Sequence, residues 1–284
     1  MNQGERSIPI GAGGSSVILA LVEELRTFIR KHEVSYADYH RALEFLAEAG
    51  AAGELPLLLD VFLEVTVDEV NNSRKPGTAS CLEGPFYVPG APLLEQPCAL
   101  PQRDEEPGDV LLFSGTVRST RGEPLAGATL DLWQSDATGR YSQFDYPEPC
   151  HNLRGRLQTS DRGSFAVRTV VPSCYEIPKA GPTGKILAAL GRHAFRPAHL
   201  HVKVSHGGFA PLTTQLYMAG DPWIDSDVVG AVKPSLVTKL TKHDSPAEVE
   251  GHRLERPYFA LTYDFTLAPA PAGATGEDRP NRVR

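Results

Sequence analysis

The spacing of apolar residues changes twice along this chain, and that limits what it can fold into. Up to about residue 73 they recur at helical intervals: Val17, Leu21, Leu25 and Phe28 share a face, with Ile18, Val22 and Ile29 beside it. Ser35 and Asp38 form a capping-box-like start, Leu43, Leu46 and Ala47 carry the next apolar face, and Gly50 ends it. A third helix is predicted from Pro56, a good first-turn residue, through Phe62 and Val65 to Asn71 and Asn72. From about 109 the pattern becomes short strand-like runs at 111–117, 129–133, 164–171, 200–204 and 258–267, broken by Gly and Pro turns. The expected fold is α+β: a helical region at 1–73, a Pro- and Gly-rich connector at 74–108 and an antiparallel β-sandwich at 109–267. A loose C-terminal tail, 268–284, is expected from its Ala, Pro, Gly and charged residues.

Composition excludes several classes. The net charge of −7 argues against nucleic acid or an anionic membrane as the main partner. Cys81, Cys98, Cys150 and Cys174 form no CxxC pair and are too sparse for a disulfide scaffold, so free thiols in a reducing cytoplasm are expected. The apolar stretch 17–22 runs into Glu23 and Glu24 and lacks a basic leader. No stretch approaches the ~18 apolar residues that span a bilayer. The chain reads as cytoplasmic, with no membrane partner.

The strongest local signal is Arg196-Pro197-Ala198-His199-Leu200-His201. On a strand, positions two apart face one side, so both histidines can reach one metal; the plain alternative is two histidines on a solvated strand. Tyr141 follows Gly139-Arg140, and Tyr175 closes Val171-Pro172-Ser173-Cys174-Tyr175. Taken singly, each tyrosine reads as packing or a capping hydroxyl, and Arg196 as a surface ion pair.

In combination these pieces resemble the intradiol ring-cleavage dioxygenases. The likeness runs from about 55 to 265 and includes Gly139-Arg140-Tyr141-Ser142, Asn152-Leu153-Arg154-Gly155-Arg156, Gly191-Arg192-His193, Thr213-Thr214-Gln215 and Gly220-Asp221. Carried over position by position, the resemblance implies one Fe(III) per subunit held by Tyr141, Tyr175, His199 and His201, with His193 left out. It makes the sandwich catalytic and the connector part of the active-site wall. It implies that the diol binds through both oxygens, that Tyr175 leaves the metal and takes a substrate proton, and that the ring is attacked by O2. Oxygen inserts between the hydroxylated carbons, and an anhydride is hydrolysed to a dicarboxylate. Arg196 would stabilise developing charge and Gln215 would orient the site. The donor set is chemically apt, because phenolates are hard anions suited to Fe(III), and it is not the two-His-one-carboxylate set of ferrous oxygenases.

The resemblance also implies a pocket walled by Leu57, Asp60, Leu82, Gly84, Pro85, Phe86, Ile177, Pro178 and Arg196. Leu57 and Asp60 have the Leu-x-x-Asp spacing of hydroxyquinol 1,2-dioxygenases, whose extra ring hydroxyl a carboxylate could accept. Asp60 on a wet helix face is the equal alternative. Leu82-Glu83-Gly84 and Thr214-Gln215 look more like the catechol and chlorocatechol branches. The expected substrates are a small aromatic diol or triol and O2, with 1,2,4-trihydroxybenzene preferred and catechol or chlorocatechol as the alternative. A homodimer through the N-terminal helices is expected, since a lone three-helix segment cannot bury such apolar faces; the resemblance adds a lipid held there. Two competing readings are a non-catalytic prealbumin-like sandwich that binds no metal, and a zinc hydrolase.

Overall fold

The computed structural model describes residues 12–147, 149–252 and 254–270. The part of the expected tail beyond 270, and the segment before Ala12, lie outside the described residues. The chain divides into two compact units, one ending at Leu55 and one beginning at Pro56.

The first unit holds α1 (Ala12–Lys31) and α2 (Tyr36–Ala51). Ser35 caps α2 by accepting the Asp38 amide proton at 3.1 Å, as the capping signal predicts. Arg30 and Lys31 close α1 with positive charge, which the helix dipole favours. Val17, Leu21, Leu25 and Phe28 are exposed.

The second unit opens with α3 (Leu55–Leu59), a π-helical turn over Asp60–Glu64, and α4 (Val65–Asn72). Spacing alone predicts a regular helix here. The π turn widens it where Asp60, Val61 and Glu64 line a cavity, and such turns concentrate at functional sites.

The strands follow in chain order: β1 (Leu93–Leu94), β2 (Cys98–Ala99), β3 (Val110–Ser119), β4 (Thr129–Gln134), β5 (Arg154–Gln158), β6 (Ser164–Val170) and β7 (Tyr175–Glu176). After α5 (Pro182–Ala189) come β8 (Phe195–Arg196), β9 (His199–Ser205), β10 (Leu212–Met218), β11 (Val237–Thr238) and β12 (Thr241–His243). Helix α6 (Pro246–Gly251) precedes β13 (Tyr258–Thr262) and β14 (Phe265–Leu267).

One sheet has the order β1-β5-β4-β9-β10-β11 and the other β12-β13-β3-β6-β2, with β14 also on β3; β7 and β8 form a separate ribbon. The central ladders β5-β4-β9-β10 and β3-β6 are antiparallel, as expected. The periphery corrects the expectation of a purely antiparallel sandwich, because β1, β2, β11, β13 and β14 all join in parallel. Parallel pairs need long crossovers, such as the segment between β10 and β11.

The inner face of the first sheet, with Leu130, Leu132, Leu200, Val202, Val204 and Leu216, packs on Leu111, Phe113, Phe165, Val167 and Leu261 of the second. Each such side chain contributes about 1.5–3 kcal/mol by burial. On β9 the alternate positions, His199 and His201, face the other way and are equally buried. Cross-strand register sets Arg154, Trp133, His201 and Gln215 in one row across β5, β4, β9 and β10. A second apolar cluster, with Val61, Trp133, Tyr141, Tyr175 and Ile177, covers this outer face. All four cysteines are free. Among the described residues no helix is long and apolar enough to cross a membrane.

Candidate metal centre

The side chains of Tyr141, Tyr175, His199 and His201 converge on the outer face of β9. The two imidazoles bring their Nε2 atoms within 3.0 Å of each other. His199 turns Nδ1 to the Pro197 carbonyl at 2.6 Å; with that nitrogen protonated, the Nε2 lone pair points at the site. His201 is fixed differently, by stacking on Trp133 at 4.6 Å and 10°. The Tyr175 ring lies 5.6 Å from the His199 ring, and the Tyr141 ring stands edge-on to Tyr175 at 5.3 Å.

Burial keeps all four groups uncharged, the imidazoles without an added proton and the phenols with theirs. Burial, with Arg196 nearby, pushes His199 down to about 3, so its ring is neutral at pH 7. Burial, with His199 and Arg196 adding to it, lowers His201 as well. Burial raises both phenols, Tyr141 far above the ordinary range. The Tyr141 hydroxyl makes no well-formed hydrogen bond, an unfavourable state for a buried polar atom. Two neutral imidazoles and two desolvated phenols facing one point fit a trivalent cation, which would convert the phenols to phenolates and match hard anionic donors. Among the described residues no three His, Cys, Asp or Glu side chains form an alternative metal cluster.

Local structure holds each donor. Asp136 accepts the Thr138 and Arg140 amides, and Asp145 accepts the Tyr141 amide at 2.7 Å, which shapes the Tyr141 loop. Gly139, at φ +81°, lets that loop touch the Tyr175 segment; a Cβ there would sit 2.6 Å from the Cys174 carbonyl oxygen. Gly84, at φ +73°, lets the connector cross His201, with a Cβ position 3.3 Å from Cε1.

Pairing of β7 with β8 sets Arg196 opposite Tyr175. Arg196 donates to Asp227 through Nε and Nη2 at 3.1 and 3.2 Å, to Gln215 Oε1 at 2.9 Å and to Tyr217 at 3.1 Å. It is fully desolvated rather than part of a surface ion pair. Gln215 donates through Nε2 to the Leu82 carbonyl at 2.8 Å and so ties the connector to this network.

A narrow cavity opens beside these groups. Of the expected wall residues it is lined by Leu57, Asp60, Leu82, Gly84, Pro85, Ile177 and Arg196. Phe86 and Pro178 are outside the lining, and Phe86 stacks on Tyr141 at 4.4 Å instead. Val61, Glu64, Tyr175 and Val229 also line it. His193 stays out of the donor set: its Nε2 lies 3.0 Å from Ser226 Oγ, and its Nδ1 accepts the Phe195 amide. Sequence reasoning missed Asp227, Tyr217 and Val229. Asp227 sits in Ile224-Asp225-Ser226-Asp227, where nothing local distinguishes the carboxylate that will be buried.

Comparison with known proteins identifies the family. A family described as "Dioxygenase" matches residues 82–269, and one described as "Catechol dioxygenase N terminus" matches 15–79. A chlorocatechol 1,2-dioxygenase of Rhodococcus opacus is 45% identical over 227 residues, covering 79% of this chain and 88% of the relative. The crystal structure of 3-chlorocatechol 1,2-dioxygenase from Rhodococcus opacus superposes with a TM-score of 0.80 at 41% identity, covering 90% of this chain and 98% of that one. A hydroxyquinol 1,2-dioxygenase from Pseudomonas putida gives 0.82 at 33% identity, covering 93% and 94%. The chain belongs to the intradiol ring-cleavage dioxygenase family.

Proposed function

We propose that this enzyme uses Fe(III), one per subunit, to open the ring of a catechol-type diol between its two hydroxylated carbons. The reading rests above all on the convergence of two imidazole Nε2 atoms, 3.0 Å apart, with two buried phenols beside an apolar-walled cavity. Tyr141, Tyr175, His199 and His201 would hold the Fe(III), whose Lewis acidity would favour the doubly deprotonated, electron-rich form of a bound diol, the form that reacts with O2. The chain's own groups do the rest. Tyr175 lines the cavity and Tyr141 does not, so Tyr175, as a phenolate when the metal is bound, would take the proton of the incoming diol while Tyr141 stays put. Arg196, fixed by Asp227, Gln215 and Tyr217, offers a preorganised cation to charge developing on the ring. Leu57, Leu82, Pro85 and Ile177 give the cavity the apolar walls that a flat aromatic ring requires.

The finer substrate reading shifts from the sequence expectation. Over superposed structures, identity is 41% to a chlorocatechol enzyme and 33% to a hydroxyquinol enzyme, and the walls contributed by Leu57, Val61, Ile177 and Val229 are apolar. Both favour catechol and chlorocatechols, giving muconates or chloromuconates. One observation keeps 1,2,4-trihydroxybenzene, with 3-hydroxymuconate or maleylacetate as product, as the second reading: Asp60 lines the same cavity, where its carboxylate can accept a third ring hydroxyl. Comparing kcat/KM on catechol, chlorocatechols and 1,2,4-trihydroxybenzene, with product identification, tests both levels. A preference for the triol that Asp60→Ala abolishes restores the hydroxyquinol reading. Ring opening outside the two hydroxylated carbons contradicts intradiol cleavage itself.

The exposed apolar side chains of α1 support a homodimer through the N-terminal helices, and an apolar surface of this kind suits a bound acyl chain. A monomer by light scattering, or no lipid in an organic extract, rejects the respective half of that statement.

A further inference from the structure

Two arginines are buried near the donor set, and they are not equivalent. Arg196, opposite Tyr175, is ion-paired with the Asp227 carboxylate. Arg154, on β5, is as deeply buried, yet its partners are all uncharged: Ser142 Oγ at 2.9 Å, the Ser142 carbonyl at 3.0 Å and the Phe86 carbonyl at 2.6 Å. Among the described residues no carboxylate lies within ion-pair distance of it. Asp131, which acts on Arg154 through space, accepts the Tyr87 hydroxyl at 3.0 Å instead. The Arg154 guanidinium carbon lies 5.8 Å from the centre of the Tyr141 ring. A buried cation without an anion is unfavourable, so something must justify it.

The backbone on both sides of this contact is constrained. The described non-glycine residues at positive φ are Glu33, Glu105, Gln143 and Leu153. Gln143 directly follows the Ser142 acceptor, and Leu153 directly precedes Arg154. Leu153, at φ +55°, is fully buried, and its amide donates to the Pro101 carbonyl at 2.8 Å. A branched side chain held in the left-handed region persists only where its surroundings dictate it, and such residues cluster at functional sites. Asn152 adds a brace: its carbonyl accepts the Ser142 hydroxyl at 3.0 Å, and its amide group donates to Glu106 and Tyr146.

We propose that Arg154 is a positioning residue for Tyr141. It clamps the Tyr141–Ser142 loop to the Phe86 connector and provides a positive charge, free of any ion-pair contact among the described residues, that Tyr141 faces as an anionic ligand. This rests on the ferric reading above. It also separates the two tyrosines: the cation beside the Tyr141 ring has no ion-pair partner among the described residues, whereas the cation opposite Tyr175 is paired with Asp227. The asymmetry keeps Tyr141 in place and leaves Tyr175 as the ligand that accepts a proton.

The test uses substrate-free, iron-loaded full-length protein and reads the visible absorption band together with iron retention against a chelator. A nearby positive charge lowers the energy of a phenolate's donor electrons, so removing it moves tyrosinate-to-iron absorption to longer wavelength. Arg154→Met, which keeps bulk and removes charge, should shift the band to longer wavelength. Arg154→Lys, which keeps the charge and loses the fork, should recover most of the wild-type position while releasing iron several-fold faster. If Arg154→Met folds and its band coincides with wild type, the assignment is overturned. Should Arg154→Met fail to fold, Ser142→Ala decides, because it removes one acceptor and leaves the charge. Several-fold faster iron release from Ser142→Ala supports the clamp, and unchanged release overturns it. A wild type without iron or colour removes the ferric reading and this inference together, whereas a coloured wild type with an indifferent Arg154 removes only the inference.

Discussion

The two units treat polarity in opposite ways. In the unit ending at Leu55, α1 leaves large apolar side chains in the open, Leu19 at 69% exposure and Val17 at 68%. In the unit beginning at Pro56, the sandwich buries Arg154, Arg196, Asp227, Gln215, His199 and His201. Exposing a large apolar face and burying charge are both unfavourable for an isolated chain. Neither arrangement follows from stability alone, so each marks a place where the sequence serves something besides folding. For the helices we propose that this is contact with a second copy, and for the sandwich that it is chemistry. The buried groups are also braced in a way the helices are not: the Arg196 guanidinium has partners on Asp227, Gln215 and Tyr217 at once.

The contrast can be broken at its strongest point by removing a proposed ligand. His201→Ala or Tyr141→Phe should lower iron content and reduce turnover by at least about 100-fold, since even outer partners of metal ligands are worth 10–100-fold. Iron by elemental analysis and turnover on catechol check this, and full iron with full activity in either variant rejects the assignment.

Next comes the buried ion pair. Asp227→Ala leaves Arg196 uncompensated in the interior and should destabilise the protein by about 3–5 kcal/mol, read by denaturant unfolding. Burial pushes the Asp227 carboxyl up, but Arg196 and the Ala231 amide more than offset this and hold it below its ordinary value. Its stabilising contribution is therefore complete above the ordinary carboxylate range and lost as pH falls through the depressed value. The acid limb of wild-type stability should flatten in Asp227→Asn; identical limbs contradict the pairing.

Leu130→Ala, in the inter-sheet core, should cost about 2–5 kcal/mol. The visible spectrum should not move, because Leu130 faces away from the donors. A spectral change would mean that core and site are not separable.

The smallest effect belongs to the helices. Leu21→Glu should shift the oligomeric state, measured by sedimentation, and alter the unfolding free energy of the sandwich by no more than about 0.5 kcal/mol, as surface changes do. A large loss of iron in this variant would erase the distinction between the units.

Much of this was legible in the sequence because period is a strong signal. The α1 and α2 faces and the strands around Leu111, Leu130 and Leu200 all announce themselves. β5 and β10 do not: Arg154-Gly155-Arg156 and Thr213-Thr214-Gln215 carry polar side chains on a buried face, so alternation of hydrophobicity fails where the outer face of the sheet holds the site. The π turn at Asp60–Glu64 has no marker of its own. The four donors came from a resemblance spread over the whole chain, since neither HxH nor a lone Tyr is specific. Asp227 and the isolation of Arg154 escaped because a charge pair, or its absence, depends on which loops meet in space.

The central claim is that two tyrosines and two histidines hold Fe(III), and the most direct measurement is the visible absorption of the purified protein with its iron stoichiometry. The account predicts a red-brown protein with one iron per subunit and a broad visible band that Tyr175→Phe bleaches or shifts. A colourless protein that takes up no iron on reconstitution, or that carries zinc in its place, would contradict it.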